Sequence, residues 1–363
     1  MNTSLGIMTL NPDISNTYFL EIAYESLSYN IDLYLFSPQG ISPLSETVDG
    51  FYFNPTKKTW EKEAFEIPSF IYDRTYYQKD LPSRQAKAVV QWLKNQKYIQ
   101  FLSYGLPNKW LVYETLKETS LSSYLPETTL VTDGNQLLHL LLEQRDSIIK
   151  PVDGAHGFAV YQLLVEGKNI KVRTTKKHGV IEKTFTNNQS FLEWGNHILK
   201  QHTFIYQKRL SNYTSLHTPF DLRVLMNKDS RGEWRVFQKA IREGKQNGIL
   251  TNISYGASYL SYKDWKHKHQ RLTWNFIEEE ITDILEDIPL ILEDSFSPLF
   301  EIGVDIVIAN DDSIWILDIN SKPGHKAVHS LGAEKLSALH KAPLDYCEFL
   351  AELSLTSIRR GEF

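Results

Sequence analysis

Asp305, Asp318 and Asn320 lie within, or directly after, two runs of residues in the segment 301–324 that otherwise have the composition of buried β-strands. Two runs rich in β-branched residues flank a polar turn signal at residues 310–313, which predicts a β-hairpin. A turn centred between residues 311 and 312 places Asp305 directly opposite Asp318, and the two-residue period of a strand places Asn320 on the same face. The spacing therefore predicts two carboxylates and one amide oxygen that converge on one point.

This convergence suits a divalent cation. Opposed like charges destabilise a strand pair, and buried carboxylates are costly unless something neutralises them. Hard oxygen ligands suit Mg²⁺, which takes its remaining ligands from water and substrate phosphates. The exit Lys322-Pro323-Gly324 adds a cation and a tight turn beside the acids. An ordinary surface hairpin with its polar face toward water has the same pattern, so the three side chains alone do not decide between the two.

A lysine upstream has the context of a phosphate ligand. Lys150 ends a predicted strand over residues 147–151, and a loop that contains Gly154 and Gly157 follows it. An ammonium group supplies a point charge, and glycines let backbone N–H groups approach phosphate oxygens. No Gly-Lys-Ser/Thr sequence follows, so this is not a Walker A loop. An exposed lysine before a β-turn is the alternative.

Two further segments offer groups for a nucleotide or an acid. Residues 202–209 form a short apolar strand with a polar end, which can hold an adenine through backbone hydrogen bonds or act as a plain hinge. Arg223 and Arg242 lie on two predicted strands, 219–226 and 234–242, joined by a turn. Guanidinium groups bind phosphate and carboxylate in bidentate fashion, although a single arginine more often forms a surface ion pair.

The composition bounds the class of protein. The chain has 363 residues, enough for two or three domains or for one large multi-lobed one. Its 39 basic and 44 acidic residues leave a net charge of −5, which gives no electrostatic reason to expect nucleic acid or an anionic membrane as partner. The single cysteine, Cys347, excludes an intrachain disulfide and a thiolate metal cluster. Neither a signal-peptide pattern nor a long apolar run occurs, so we expect a cytoplasmic protein without membrane insertion.

The order of predicted elements indicates an α/β (α+β) protein. A strand over 4–10, a helix over 17–30 and a strand over 31–36, closed by Ser37 and Pro38, make a β-α-β opening. We place a domain boundary near residue 105. The other predicted elements are a hairpin over 50–65, a strand over 70–74, helices over 84–96, 111–117, 136–145, 189–201 and 261–294, and one or two helices over 333–355 around Pro343.

Taken in this order, the elements resemble the ATP-grasp superfamily, and the chain resembles the YheC/YheD family of endospore coat-associated ATP-grasp proteins. The most specific match is residues 302–306 followed by residues 316–324, within a resemblance that spans about residues 106–326. Family hairpins carry a glutamate where this chain has Asp318, so one or two metal ions stay open. The resemblance implies a pre-ATP-grasp α/β domain over 1–105 and a two-lobed ATP-grasp domain over 106–363, with an N-lobe over about 106–203 and a C-lobe over about 204–363.

The resemblance also implies roles for individual residues. The nucleotide, ATP, would be held by Lys109, Lys150, Gly154, His156, Gly157, Phe158, Gln207 and Lys208. Mg²⁺, for which Mn²⁺ can substitute, would be held by Asp305, Asp318 and Asn320. Arg242 and Asn252 would contact the acylphosphate and metal region with help from Arg223, and Arg74 matches a family arginine to which we assign no role.

Such a site implies an ATP-dependent carboxylate-amine ligase. ATP-grasp enzymes transfer the γ-phosphoryl group of ATP to a carboxylate, and an amine then captures the acylphosphate as an amide. Positioning and electrostatics dominate such chemistry, so no protein nucleophile is needed. The expected partners are a small-molecule or peptide carboxylate and an amine, in a role related to the spore coat or cell envelope. A non-catalytic, ATP-binding or structural spore-coat protein and a grasp-fold kinase are the alternatives.

Overall fold

Three β-sheets follow one another along the chain, and helices cover them. A computed structural model describes residues 3–77, 80–154, 157–176, 179–252, 255–269, 273–326, 328 and 333–360. The strands are β1 (Thr3–Met8), β2 (Ile31–Ser42), β3 (Thr47–Asn54), β4 (Thr59–Glu66), β5 (Phe70–Asp73), β6 (Gln100–Phe101), β7 (Thr128–Val131), β8 (Asp146–Pro151), β9 (Tyr161–Glu166), β10 (Asn169–Lys176), β11 (Gly179–Phe185), β12 (Phe204–Lys208), β13 (Phe220–Lys228), β14 (Trp234–Glu243), β15 (Ser258–Ser261), β16 (Glu301–Ile308) and β17 (Ile314–Asn320). The helices are α1 (Thr17–Glu25), α2 (Leu81–Lys94), α3 (Lys109–Lys117), α4 (Gly134–Gln144), α5 (Asn188–Leu199), α6 (Tyr262–Lys268), α7 (Trp274–Ser295) and α8 (Ala333–Arg360), with short 3-10 turns at Ser26–Ser28 and Ser120–Tyr124. This arrangement confirms the predicted α/β class.

The first sheet contains the predicted β-α-β opening. Its strand order is β4-β3-β2-β1-β5-β6, and β1 pairs in parallel with both β2 and β5. The predicted end of β2 at Ser37 and Pro38 is wrong, because the strand continues to Ser42. Its pairing with β3 shifts register between Phe36 and Ile41. A proline, which has no N–H to donate, is tolerated at such an irregularity.

Helix α8 packs against this first sheet from the other end of the described chain. Its residues Cys347 and Leu350 share a hydrophobic core with Leu5 and Leu33. The helix runs through Pro343 without a break. The closing segment, for which one or two helices were predicted, is therefore a single helix whose apolar face belongs to the core of the first sheet.

The second and third sheets hold the predicted site between them. Their strand orders are β11-β10-β9-β8-β12-β7 and β15-β14-β13-β16-β17, and the pairings in both are antiparallel. Helix α7 buries an apolar stripe against one face of the third sheet, where it meets Leu222 and Val224. Because side chains alternate along a strand, Asp221 and Arg223 then lie on the opposite face, which lines the cavity.

The division predicted near residue 105 falls between two sheets. The first sheet ends with β6 and the second begins with β7, at Thr128. The division into domains stays a prediction. Within the described part of the chain, no helix combines the length and the apolar content that crossing a membrane requires.

Candidate active site

The predicted hairpin forms, and its two aspartates face each other. Asp305 on β16 pairs with Asp318 on β17, as predicted. Nearer the turn the pairing is shifted by one residue, so the turn centres on Asp311 rather than between Asp311 and Asp312. A bulge that leaves Leu317 out of the pairing restores the predicted register at the aspartates.

Basic side chains form ion pairs with both aspartates. Arg223 donates from Nη1 to Oδ1 of Asp305 at 2.5 Å, and Nη2 of Arg242 lies 2.8 Å from the other oxygen. Burial alone would raise the pKa of Asp305, but the two guanidinium groups outweigh it and hold this pKa at about 2. Lys109, at the first position of α3, forms an ion pair with Asp318. Asp305 is therefore charged at neutral pH, and both carboxylates offer oxygen atoms as ligands.

The third predicted ligand lies beside the second. Asn320 donates from Nδ2 to Oδ2 of Asp318 at 3.4 Å. Two carboxylates and one amide oxygen on neighbouring strands make the all-oxygen donor set that fits Mg²⁺ or Mn²⁺. Lys109 would compete with such a cation for Asp318, because its ammonium group already pairs with that carboxylate.

Asp221 extends this ion-pair network and was not among the predicted site residues. Arg242 donates to it in bidentate fashion, from Nε at 2.7 Å and from Nη2 at 2.8 Å, and the Thr251 hydroxyl donates to the same carboxylate. Asp221 is completely buried, and burial raises its pKa although Arg242 opposes the shift. The available sequence signal was the alternation along β13, which puts Asp221 on the same face as Arg223.

Replacing Asp221 with asparagine is expected to lower the free energy of unfolding by about 3 kcal/mol, because the change leaves Arg242 with half of its buried counter-charge. Urea unfolding measures this loss. Asp283→Asn is the control, since Asp283 is exposed on α7 and the same chemical change there should leave stability unaltered. Equal unfolding curves for the two variants would contradict the role of Asp221.

Lys150 lies across the cavity from the hairpin, on β8. Its Nζ donates to the backbone carbonyl of Leu317, the residue that the bulge leaves out of the strand pairing, at 2.8 Å. Burial lowers the pKa of Lys150 to about 8, with Asp318 opposing and Lys109 adding to the shift. The lysine therefore loses its charge at a lower pH than an exposed lysine does.

Nucleotide affinity is expected to depend on this titration. Phosphate oxygens favour the charged ammonium group, so affinity for ADP should be constant below the pKa of Lys150 and fall as pH rises above about 8. The fall approaches about tenfold for each pH unit, measured by calorimetry from about pH 7.5 to about pH 9.5. Lys150→Arg keeps its charge throughout and should give a flat profile; two parallel profiles would contradict the assignment.

The glycine loop after β8 lies against Asn252. Gly157 has φ of 76°, and a Cβ atom at this position would lie 2.9 Å from Oδ1 of Asn252, so a larger residue there is strained and crowded. Gly154 and Phe158 line the same cavity. His156, the remaining predicted member of the loop, lies outside the described residues.

The predicted hinge residues occupy the end of β12. The buried Gln207 donates from Nε2 to the Thr128 hydroxyl at 2.7 Å. This bond ties β12 to β7, so the side-chain amide braces the sheet, and a ligand would meet the strand's backbone. Lys208 is exposed at the strand end and lines the cavity.

All predicted site residues that the structure describes line one cavity of about 320 Å³. They are Lys109, Lys150, Gly154, Gly157, Phe158, Gln207, Lys208, Arg223, Arg242, Asn252, Asp305, Asp318 and Asn320. Apolar side chains that no motif marked, among them Ile148, Leu250 and Leu317, line it as well. A cavity that combines apolar surface with clustered charges can take a nucleotide, with the base on the apolar surface and the phosphates at the charges.

Comparisons with known proteins support the same fold. The family model described as YheC/D like ATP-grasp matches residues 98–350. The chain is 34% identical over 348 residues to the endospore coat-associated protein YheC of Bacillus subtilis (strain 168), with 96% of each chain covered. It is 24% identical over 333 residues to the endospore coat-associated protein YheD of the same organism, covering 89% of this chain and 72% of YheD.

Solved structures extend the likeness at lower identity. The ADP complex of purK, N5-carboxyaminoimidazole ribonucleotide synthetase, superposes with a TM-score of 0.56 at 14% identity, covering 94% of this chain and 76% of that one. The ATP-grasp ligase PsnB complexed with minimal precursor superposes with a TM-score of 0.55 at 12% identity, covering 95% and 100%. These structures confirm the predicted ATP-grasp fold. With the match over residues 98–350 and the similarity to YheC along nearly the whole sequence, this chain belongs to the YheC/D-like ATP-grasp family.

Proposed function

We propose that this protein is an ATP- and Mg²⁺-dependent ligase that joins a carboxylate to an amine. The observation that carries the proposal is the single cavity in which the oxygen ligands Asp305, Asp318 and Asn320 lie beside four basic side chains: Lys109, Lys150, Arg223 and Arg242. A purely structural protein gains nothing from burying Asp305 among such charges, because buried ion pairs contribute little net stability. The fold shared with an ATP-grasp ligase supports the same reading.

The two lysines would bind the phosphates of ATP. Lys150 is fixed to the hairpin backbone, so its ammonium group is held at one place on the cavity wall. Lys109 would leave Asp318 and turn to a phosphate oxygen when a cation takes that carboxylate. Asp305, Asp318 and Asn320 would hold Mg²⁺, which when bound supplies positive charge beside the phosphate oxygens.

The two arginines would bind the substrate carboxylate and the charge of the transferred phosphoryl group. Asp221 holds Arg242 in a fixed orientation, and Asp305 holds both guanidinium groups. Donors fixed before the reaction need no reorganisation while charge develops, which is the main source of electrostatic catalysis. Asn252, which lines the cavity beside the glycine loop, would contact the same region.

The proposed reaction has two displacement steps. A carboxylate oxygen of the substrate attacks the γ-phosphorus of ATP, and ADP leaves. The nitrogen of the amine attacks the carbonyl carbon of the acylphosphate, phosphate leaves, and the amine loses a proton. The bond formed is an amide, and each attacking group comes from a substrate.

The place of action is also part of the proposal. Similarity to two endospore coat-associated proteins supports a role in spore-coat or envelope modification, by a ligase that works in the cytoplasm on small-molecule or peptide substrates. Residues 1–105 would form a pre-ATP-grasp domain, and residues 106–363 the grasp. Tyr76, which lines the cavity, would bring the first of these domains to the substrate side.

A turnover assay tests the proposal. The protein is incubated with Mg·ATP, a panel of free amino acids, N-acetyl amino acids and dicarboxylates, and a panel of amines, while ADP release and product mass are followed. ADP release that needs both substrates, with an amide as product, supports the ligase. A phosphate ester identifies a kinase, and failure to bind ATP with Mg²⁺ present favours a structural protein.

A further inference from the structure

A buried carboxylate at the start of the hairpin formed by β16 and β17 joins three separate segments of the chain. Glu301, the first residue of β16, accepts hydrogen bonds from the Tyr72 hydroxyl and from Nε2 of His325, both at 2.8 Å. It also pairs with Arg74, which lies just beyond β5 of the first sheet. Glu301, Arg74 and His325 are 4%, 6% and 7% exposed, so the whole cluster is buried.

Such a cluster is not explained by stability alone. Burial would raise the pKa of Glu301, but Arg74 and His325 outweigh it and keep this pKa below its usual range. Burial lowers the pKa of His325, so the ring is neutral at neutral pH and donates its N–H to Glu301. Well-packed apolar residues generally replace a buried ion pair without loss of stability. The pair of Arg74 with Glu301 therefore has a further role in holding the segments that it joins.

The same arginine also holds the segment that leaves the hairpin. Arg74 donates from Nη2 to the backbone carbonyl of Pro323 at 2.8 Å. Two neighbours of Arg74 in the sequence bind the same segment. Asp73 accepts from Nζ of Lys322 at 2.7 Å, and the Tyr76 hydroxyl donates to the Lys322 carbonyl at 3.1 Å. The end of β5 thus binds the hairpin where it begins and where it ends.

We propose that Arg74 and Glu301 are positioning residues for the cation site. Asp305 follows Glu301 by four residues, and Asn320 precedes Pro323 by three, so holding Glu301 and Pro323 on one guanidinium group fixes the position of the ligand-bearing end of the hairpin against the first sheet. Neither Arg74 nor Glu301 lines the cavity, so each acts through the hairpin. The proposal rests on the proposed metal ligands and not on the ligase reaction.

The test is the gain in ADP affinity that Mg²⁺ produces, measured by calorimetry with Mg²⁺ and with EDTA. Glu301→Gln should lower this gain by about tenfold, as loss of a group that orients metal ligands does. The affinity measured in EDTA should not change, because Lys150 and the apolar surface are untouched. Arg74→Lys keeps the charge but loses the forked geometry, and we expect an intermediate loss.

Glu293→Gln is the matched control. Glu293 is a partly buried carboxylate of α7 that accepts from Lys228 at 2.8 Å and from the backbone N–H of Leu299 at 2.7 Å, and neither of these partners belongs to the hairpin. This variant should melt at a lower temperature and keep the full Mg²⁺ gain. If Glu301→Gln does not fold, Arg74→Lys and Tyr72→Phe provide the same measurement with milder changes.

The outcomes separate this inference from the proposed function. A full Mg²⁺ gain in the Glu301 and Arg74 variants, or an equal loss in Glu293→Gln, overturns the positioning role. If the wild-type protein binds ADP equally well with Mg²⁺ and with EDTA, both the assignment of the metal ligands and the positioning role are wrong. If Mg²⁺ raises the ADP affinity of the wild type but not that of Glu301→Gln, the positioning role is supported. This result holds even if the turnover assay finds no ligase reaction.

Discussion

Replacing Asp318 with asparagine is expected to reduce ATP turnover by at least about a hundredfold and to remove the Mg²⁺-dependent gain in ADP affinity. Asparagine has the same shape, so the strand pairing with Asp305 survives, but the charge that would bind a cation and that holds Lys109 is lost. Calorimetry and ADP release measure the two effects, and the melting temperature checks the fold.

The matched control for this change is Asp311→Asn. Asp311 is an exposed aspartate in the turn of the same hairpin, where it accepts hydrogen bonds from Ser313. It lies outside the cavity lining, so the same chemical change should leave Mg·ADP binding as it is. If Asp318→Asn binds Mg·ADP as tightly as Asp311→Asn does, Asp318 is not a metal ligand.

A methyl group at Gly303 is expected to reduce turnover by about a hundredfold without entering the cavity itself. A Cβ atom there would lie 2.4 Å from Nη2 of Arg223 and 2.9 Å from Cβ of Pro323. The guanidinium group has to shift, which disturbs its hydrogen bond from Nη1 to Asp305, and a buried charge-assisted hydrogen bond is worth about 2–3 kcal/mol. Gly303→Ala should therefore behave like Arg223→Met.

A double-variant cycle tests whether Gly303→Ala acts through Arg223. If Gly303→Ala acts by displacing Arg223, combining it with Arg223→Met should add little to either single change. Gly324→Ala is the control, because among the described residues, its two chain neighbours aside, no atom lies within 4 Å of a Cβ atom at that position in the hairpin's exit. Additive losses, or a Gly324→Ala variant as inactive as Gly303→Ala, would show that crowding of Arg223 is not the cause.

The helices and strands of the site could be predicted where residues close in sequence determine them. Asp133 is the N-cap of α4, where its side chain accepts from the backbone N–H groups of Asn135 and Gln136, and an aspartate just before an apolar helix is a local signal for that position. The position of the turn likewise predicted Asp305 opposite Asp318, and the bulge at Leu317 offsets the one-residue shift of the turn. The bulge at Leu317 was not predicted, since nothing in the residue types distinguishes a slipped strand from a regular one.

Contacts between distant segments could not be predicted from periodicity. The bond from Lys150 to Leu317 joins residues 167 apart, and the pair of Arg74 with Glu301 joins residues 227 apart. Strand alternation assigns faces within a sheet, but it does not say which loop of another sheet meets that face. The sequence therefore assigns no role to Glu301 or to Arg74, because each has its partner in a distant segment.

The packing of α8 on the first sheet has a consequence for how the chain acquires its structure. The hydroxyl of Tyr29 donates to Asp345 at 2.6 Å across 316 residues of sequence, and Leu5 shares its core with Leu350. Closing a loop of this length is entropically costly and slows folding. On the ribosome, β1 and β2 leave the exit tunnel early, yet their core cannot close until α8 has been synthesised. An exposed apolar face on the nascent chain is thus built into the topology.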